Sequence, residues 1–414
     1  MKRFLWLALF AASVSALGAE ELVAPAPTGL PSTELVQTWL RQDPSVQEAF
    51  AGLAAAEHTA GMLRASPYEF GAEVSSQRRN YDVGPSSNEW SVQVDRTLRL
   101  PGKGAIDRQL GSAEIALAQA RVGAAFNVAA RDFVDLWMDW QGATHRRQLM
   151  QEQQVFGDES ARVVELRRRA GDASTLEANV VEADSAEIRR QLSLAETEER
   201  KARAKLLVRF PGAEGAALDL ADPDPITQPE ALWKERILRA SSPLKISRVE
   251  FEQAQMAAER ARADRLPDPT IGVYTASEAF SNEQIVGVNL TVPIPGRLRS
   301  QRLEQALSQV DMATAALDRQ RRLVEVGTDQ VFLDATGSFD RWRLAEQSAI
   351  RTLENGRLTQ RAYSLGEVDL QALLLARRQT VEAADSALNA RVLALRSYYS
   401  LLVDAQLIWD LDRL

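Results

Sequence analysis

The feature that most constrains this chain is an internal repeat. Val286, Val288, Leu290, Val292 and Ile294 alternate with more polar neighbours, as in a strand with one apolar face, and the stretch breaks at Pro293, Pro295 and Gly296. A proline-free run with helical patterning follows, as far as Gly366. The same plan stands once before: Val92, Val94, Leu98 and Leu100 lead into Pro101-Gly102, and a second proline-free run reaches Gly171-Asp172. Pro101 and Pro295 are 194 positions apart, and Gly171 and Gly366 are 195 apart. Val92 aligns with Val286, Val94 with Val288, Leu98 with Val292 and Leu100 with Ile294. Arg96 falls on the apolar side and interrupts the earlier pattern.

Each long run predicts a helix of roughly 100 Å at 1.5 Å per residue, more than a globular core needs. The composition agrees: alanine, leucine, arginine and glutamate dominate, and aromatic residues make up 6%. Leu303, Val310, Leu317, Val324 and Val331 recur every seventh residue. So do Leu374, Val381, Leu388, Leu395 and Leu402, beside a small-residue stripe of Ala376, Ala383, Ala390 and Ser397. These are coiled-coil seams. Gly171 and Gly366 suit left-handed positions after helix ends, and Ser174 to Glu177 has the form of a capping box.

The expected organisation is therefore a signal peptide over 1–19, an extended lead-in over 20–32, and a first repeat over 33–210. That repeat holds a strand pair at about 68–100 and a tip at 171–174. A linker over 211–229 follows, then a second repeat over 230–403 with a strand pair at about 270–294 and a tip at 366–369, and a tail over 404–414. The signal reading rests on Lys2 and Arg3, a short apolar core and small residues near Gly18 and Ala19. No later apolar run has the length of a membrane helix.

Several functions are disfavoured. The net charge is −8, and the largest basic cluster is Arg167 to Arg169 at a helix end, so nucleic acid is not an expected partner. His58 and His145 are the only histidines and there is no cysteine. No zinc-protease, phosphate-loop or nucleophile-elbow motif occurs, so neither catalytic residues nor a metal or cofactor site is expected.

In each repeat the two shorter helices, laid end to end, can flank the long one as a second stave. Strands of about ten residues fit an outer membrane only in a closed barrel, and four strands are too few to close one. Three copies supply twelve strands and twelve staves. The fold class expected is mainly α with a small β part, a two-fold repeat of long coiled-coil helices and strand pairs. Its trimer forms a 12-stranded outer-membrane β-barrel continued by a periplasmic α-helical barrel.

The chain resembles the TolC-like outer-membrane factors of efflux and secretion systems over about residues 33 to 403. The resemblance is carried by the repeat, PGK at Pro101 to Lys103, PIPGR at Pro293 to Arg297, and YSLGEVDLQALLLARR from Tyr363 to Arg378. Within that family it is most similar to the CzcC-type heavy-metal branch. It lacks the cysteine that carries a lipid in many relatives. The resemblance implies a homotrimeric exit duct in outer-membrane lipid, meeting a periplasmic adaptor and an inner-membrane RND-type pump. The cargo it implies is metal cations. Drug efflux, type I secretion, and a periplasmic adaptor with coiled-coil hairpins are the alternatives.

On that reading Asp172, Glu367 and Asp369 are candidates for acidic rings at the periplasmic aperture. Asp369 and Ser174 also suit helix caps. Arg168, Arg169, Gly171, Arg361 and Gly366 are candidates for the tip turns and adaptor docking. Gln93, Asp95, Asn289 and Thr291 are candidates for the barrel lumen.

Overall fold

The structure is a computed structural model that describes residues 29–213, 219–409 and 411. The expected signal peptide and most of the lead-in lie outside the described residues. Each repeat opens with a short helix, α1 (Thr33–Gln42) in the first and α5 (Glu230–Ala240) in the second. Helices α2 (Pro44–Ala65) and α6 (Ser242–Ala263) follow, each with a proline in its first turn, where the missing N–H costs nothing. Hairpins β1 (Phe70–Arg79) and β2 (Ser87–Thr97), then β3 (Thr270–Glu278) and β4 (Glu283–Thr291), lead to the long helices. Those are α3 (Lys103–Ala170) and α7 (Arg297–Ser364), each of 68 residues. The return helices α4 (Thr175–Arg209) and α8 (Leu370–Asp404) each have 35.

Helix α3 packs between α2 and α4, and α7 between α6 and α8. Each long helix is thus flanked by two shorter ones placed end to end, as the helix lengths require. The repeats join side by side, because α3 also packs on α6 and α8. The four strands form one antiparallel sheet in the order β1-β2-β3-β4. Among the described residues no helix is long and apolar enough to cross a membrane.

The two tips share one construction. At the first, the Gly171 N–H donates to the Arg168 carbonyl at 3.1 Å and the Asp172 N–H to the Arg167 carbonyl at 2.8 Å. At the second, Gly366 donates to Tyr363 at 3.0 Å and Glu367 to Ala362 at 2.9 Å. Both are Schellman closures. They need a left-handed residue, which φ of 86° at Gly171 and 77° at Gly366 supply. The next helix then starts on a cap. Ser174 accepts from the Glu177 N–H while Glu177 reaches back to Ser174, and Asp369 accepts from the Ala372 N–H at 2.8 Å.

The aromatic residues concentrate in one belt partway along the staves. Phe126, Phe133, Trp137 and Met138 of α3 meet Trp39 and Leu40 of α1, Trp233 and Ile237 of α5, and Leu401 to Val403 of α8. The Phe133 ring packs on Trp39, Trp137, Phe210 and Trp409 at 5.2–5.8 Å. Each such ring contributes about 1.5–3 kcal/mol on burial. Toward the tips the packing thins to a small cluster of Val164, Val181, Leu370 and Leu374. The heptad seams are only partly covered: Leu374, Leu395 and Leu402 are buried, while Val381, Val310, Leu317 and Val324 are half-buried.

Candidate lining and tip sites

The tips sit together at one end of the molecule. Arg167 Nη1 donates to the Tyr363 hydroxyl at 3.1 Å, and the Tyr363 ring joins the small apolar cluster between the hairpins. Asp172, Glu367 and Asp369 are exposed there, as are Gly171, Arg361 and Gly366. One Asp369 carboxylate oxygen caps α8 by accepting from the Ala372 N–H. Arg168 and Arg169 both bond Glu165, at 2.7 and 2.9 Å. Those bonds hold the Glu165 carboxyl down at about 2. Arg168 and Arg169 are therefore tied along their own helix, beside the partial negative charge of the helix end, while Arg167 reaches across to the other tip.

At the other end, register sorts the sheet into two faces. Gly71, Asp95, Gly272 and Asn289 form one cross-strand row, and Glu73, Gln93, Tyr274 and Gly287 form the next on the same side. Thr291 opposes Thr270, which opposes Thr97, and the Thr97 and Thr270 hydroxyls lie 2.7 Å apart. Gln93, Asp95, Asn289 and Thr291 thus share one face. The opposite face carries Ala72, Val94, Val273 and Val288 in one row and Val74, Val92, Thr275 and Val286 in another. Arg96 lies on this apolar face with its guanidinium 4.6 Å from the Phe70 ring centroid, which accommodates the charge there. Near the hairpin loops the polar face holds a buried carboxylate, Glu89, which accepts from Gln77 at 2.9 Å and pairs with Arg79 at 3.1 Å.

The junction between sheet and helices holds a charged cluster that sequence patterning does not suggest. Lys103, 2% exposed, donates from Nζ to the Leu266 carbonyl at 2.7 Å and to Asp268 Oδ1 at 2.9 Å, and pairs with Asp264 at 3.1 Å. Asp268 also accepts from the Leu100 N–H at 2.9 Å and the Tyr68 hydroxyl at 2.8 Å. Burial pushes the Asp268 carboxyl up, but the Leu100, Lys103 and Tyr68 hydrogen bonds outweigh it and hold it below the usual range. Beside it, buried Asp107 takes Arg99 at 2.9 Å and Arg260 at 2.6 Å, and Arg260 also pairs with Asp264. Lys103 is the lysine of PGK, next to a turn. Its partners lie in the other repeat, 165 positions away at Asp268.

No protein-family model matches the chain, and no curated protein matches its sequence. Solved structures do match its shape. CusC, described as undergoing conformational changes on folding and transmembrane channel formation, is 15% identical with a TM-score of 0.72, covering 93% of this chain and 95% of that one. The CmeC outer membrane channel of Campylobacter jejuni is 15% identical with a TM-score of 0.73, covering 98% and 94%. The outer membrane protein VceC of Vibrio cholerae is 15% identical with a TM-score of 0.71, covering 90% and 95%. The chain therefore has the fold of these outer-membrane channel proteins over nearly its whole described length.

Proposed function

We propose that the chain is the outer-membrane exit duct of a tripartite efflux system, working as a homotrimer that conducts solute passively. The observation that carries this is the sheet. It has one polar face, one apolar face and two open edges, and it stands at one end of staves roughly 100 Å long at 1.5 Å per residue. Open edges are not tolerated in lipid. Three copies supply twelve strands for closure, with the apolar face toward lipid and Gln93, Asp95, Asn289 and Thr291 toward the lumen. The staves then continue the pore into the periplasm, and the exposed tips form its far mouth. There they meet an adaptor and, through it, an inner-membrane RND-type pump. Metal cations are the proposed cargo, on the resemblance to the CzcC-type branch. An adaptor role fits less well, because an adaptor inserts one hairpin into a strand-rich domain, whereas this chain has two hairpins and four strands.

Fractionation on heated and unheated gels tests the duct. An outer-membrane trimer is expected, and a water-soluble monomer would falsify it. The acidic mouth is tested separately in planar bilayers with Asp172→Asn and Asp369→Asn. Asparagine keeps the cap at 369 while removing its charge. Cation preference should fall; unchanged conductance and ion preference would show that these carboxylates do not line the aperture.

A further inference from the structure

The four places where strands meet helices carry a charge opposite to that of the chain. They are residues 60–70, 96–108, 260–270 and 291–302, and together they hold eleven Lys or Arg against four Asp or Glu. The whole chain has a net charge of −8. Three of the four acids are taken up by the cluster described above: Asp107, Asp264 and Asp268 pair with Arg99, Arg260 and Lys103. Six exposed arginines remain: Arg64, Arg108, Arg262, Arg265, Arg297 and Arg302. Among the described residues their side chains have neither a hydrogen bond nor an ion pair.

The basic band borders an apolar one. Leu98, Leu266, Val292, Ile294 and Leu298 are exposed beside it, Ile294 at 94%. Ile294 ends the apolar face of its strand, and Arg297 follows three residues later. Apolar side chains that give way to arginines within a few residues suit the level of lipid headgroups. The stems of the arginines lie along apolar surface there, while the guanidinium groups meet phosphate.

We propose that this band binds the anionic phospholipid headgroups of the membrane leaflet nearest the staves. This rests on the outer-membrane duct proposed above and adds the lipid chemistry that its lower rim recognises. Two other accounts explain less. Helix stability accounts for Arg64, Arg262 and Arg265, at helix C-terminal ends, but not for Arg297 and Arg299. Those two occupy the first turn of α7, where a cation opposes the helix dipole, and that turn holds no acid. Neutralisation by a second copy of this chain also falls short. Each copy brings the same surplus of cations to its own junctions, so assembly concentrates the charge. Phosphate oxygens answer it, because a guanidinium binds them with two parallel donors.

Thermal unfolding of the purified protein in a neutral detergent tests this. The protein is titrated with short-chain phosphatidylglycerol, short-chain phosphatidylcholine or inorganic phosphate. Phosphatidylglycerol should raise the midpoint at about tenfold lower concentration than phosphatidylcholine, and the preference should fade in high salt. The variant R262Q/R265Q/R297Q/R302Q should lose the preference. The variant R319Q/R322Q/R351Q/R357Q, with the same charge change further along α7, should keep it. If the junction variant does not fold, R297Q/R302Q takes its place and should lose part of the preference. Equal stabilisation by the two lipids would overturn the proposal, as would a preference that survives in the junction variants or disappears in the stave variant. Inorganic phosphate acting as well as phosphatidylglycerol would overturn it too, by showing a site for a soluble anion. Heated and unheated gels of the same preparations separate this from the duct. A trimer with no lipid preference removes the headgroup site and leaves the duct, whereas a water-soluble monomer removes both.

Discussion

The two strand-to-helix junctions are nearly the same in sequence and opposite in surroundings. One reads Pro101-Gly102-Lys103 and the other Pro295-Gly296-Arg297, at an offset of 194. Lys103 is buried against Asp268 and Asp264, with Arg99, Asp107 and Arg260 alongside. Residues 291–298, around Arg297, are exposed throughout. Position in the sheet accounts for the difference. The first junction has the second repeat on its flank, so the turn before β3 can deliver acids to it. The second junction stands at the free β4 edge, where only another molecule can complete it. A repeated sequence is therefore not a repeated environment, and one chain displays both the finished and the unfinished seam.

The largest expected effect separates the two. Lys103→Met leaves Asp268 buried without its cation and should cost about 3–5 kcal/mol in denaturant unfolding of the dispersed chain. Arg297→Met should stay within about 0.5 kcal/mol in the same assay. Equal losses would erase the contrast. An Arg297→Met loss seen only in the assembled protein would sharpen it, by showing that a neighbour completes the second junction.

A pH titration addresses the same cluster. The folded-state pKa of Asp268 is depressed, so its contribution is fully present above the ordinary carboxylate range of about 4 and is lost as pH falls through the folded value. Wild type should therefore lose stability on acidification below about pH 4, and Asp268→Asn should flatten that slope. A slope unchanged in the variant would remove Asp268 from the account.

The tips, by contrast, should behave alike, since both are closed by local bonds. Ser174→Ala and Asp369→Ala should each cost about 1 kcal/mol, because each removes one N-cap. A much larger loss at one tip would mean that the tips differ as the junctions do. The smallest effect is expected at Glu165→Gln. Its pairs with Arg168 and Arg169 are solvent-exposed, so thermal unfolding should be little changed, and less so still in high salt.

Much of the fold is legible in the residues because its causes are local. Gly171 and Gly366 end helices because a Schellman closure needs a left-handed backbone, and Ser174 and Asp369 restart them with side-chain caps. Alternation places Gln93, Asp95, Asn289 and Thr291 on one side of their strands whatever those strands pair with. The aromatic belt is less legible. Phe133, Phe210, Trp39 and Trp409 come from four separate segments, and no spacing between them announces that they meet. The junction cluster is least legible, since Lys103 and Asp268 look like ordinary charges beside prolines.

The sequence by itself determined the helix lengths, the two tips, the faces of the strands and the two-fold plan. Each follows from backbone preference or from periodicity within a few turns of chain. Only the tertiary structure decided that β2 pairs with β3, that Lys103 is buried while Arg297 is exposed, and that β1 and β4 are left as edges. Burial and ion pairing depend on which distant segment lies alongside, and that adjacency belongs to the folded sheet rather than to either copy of the repeat.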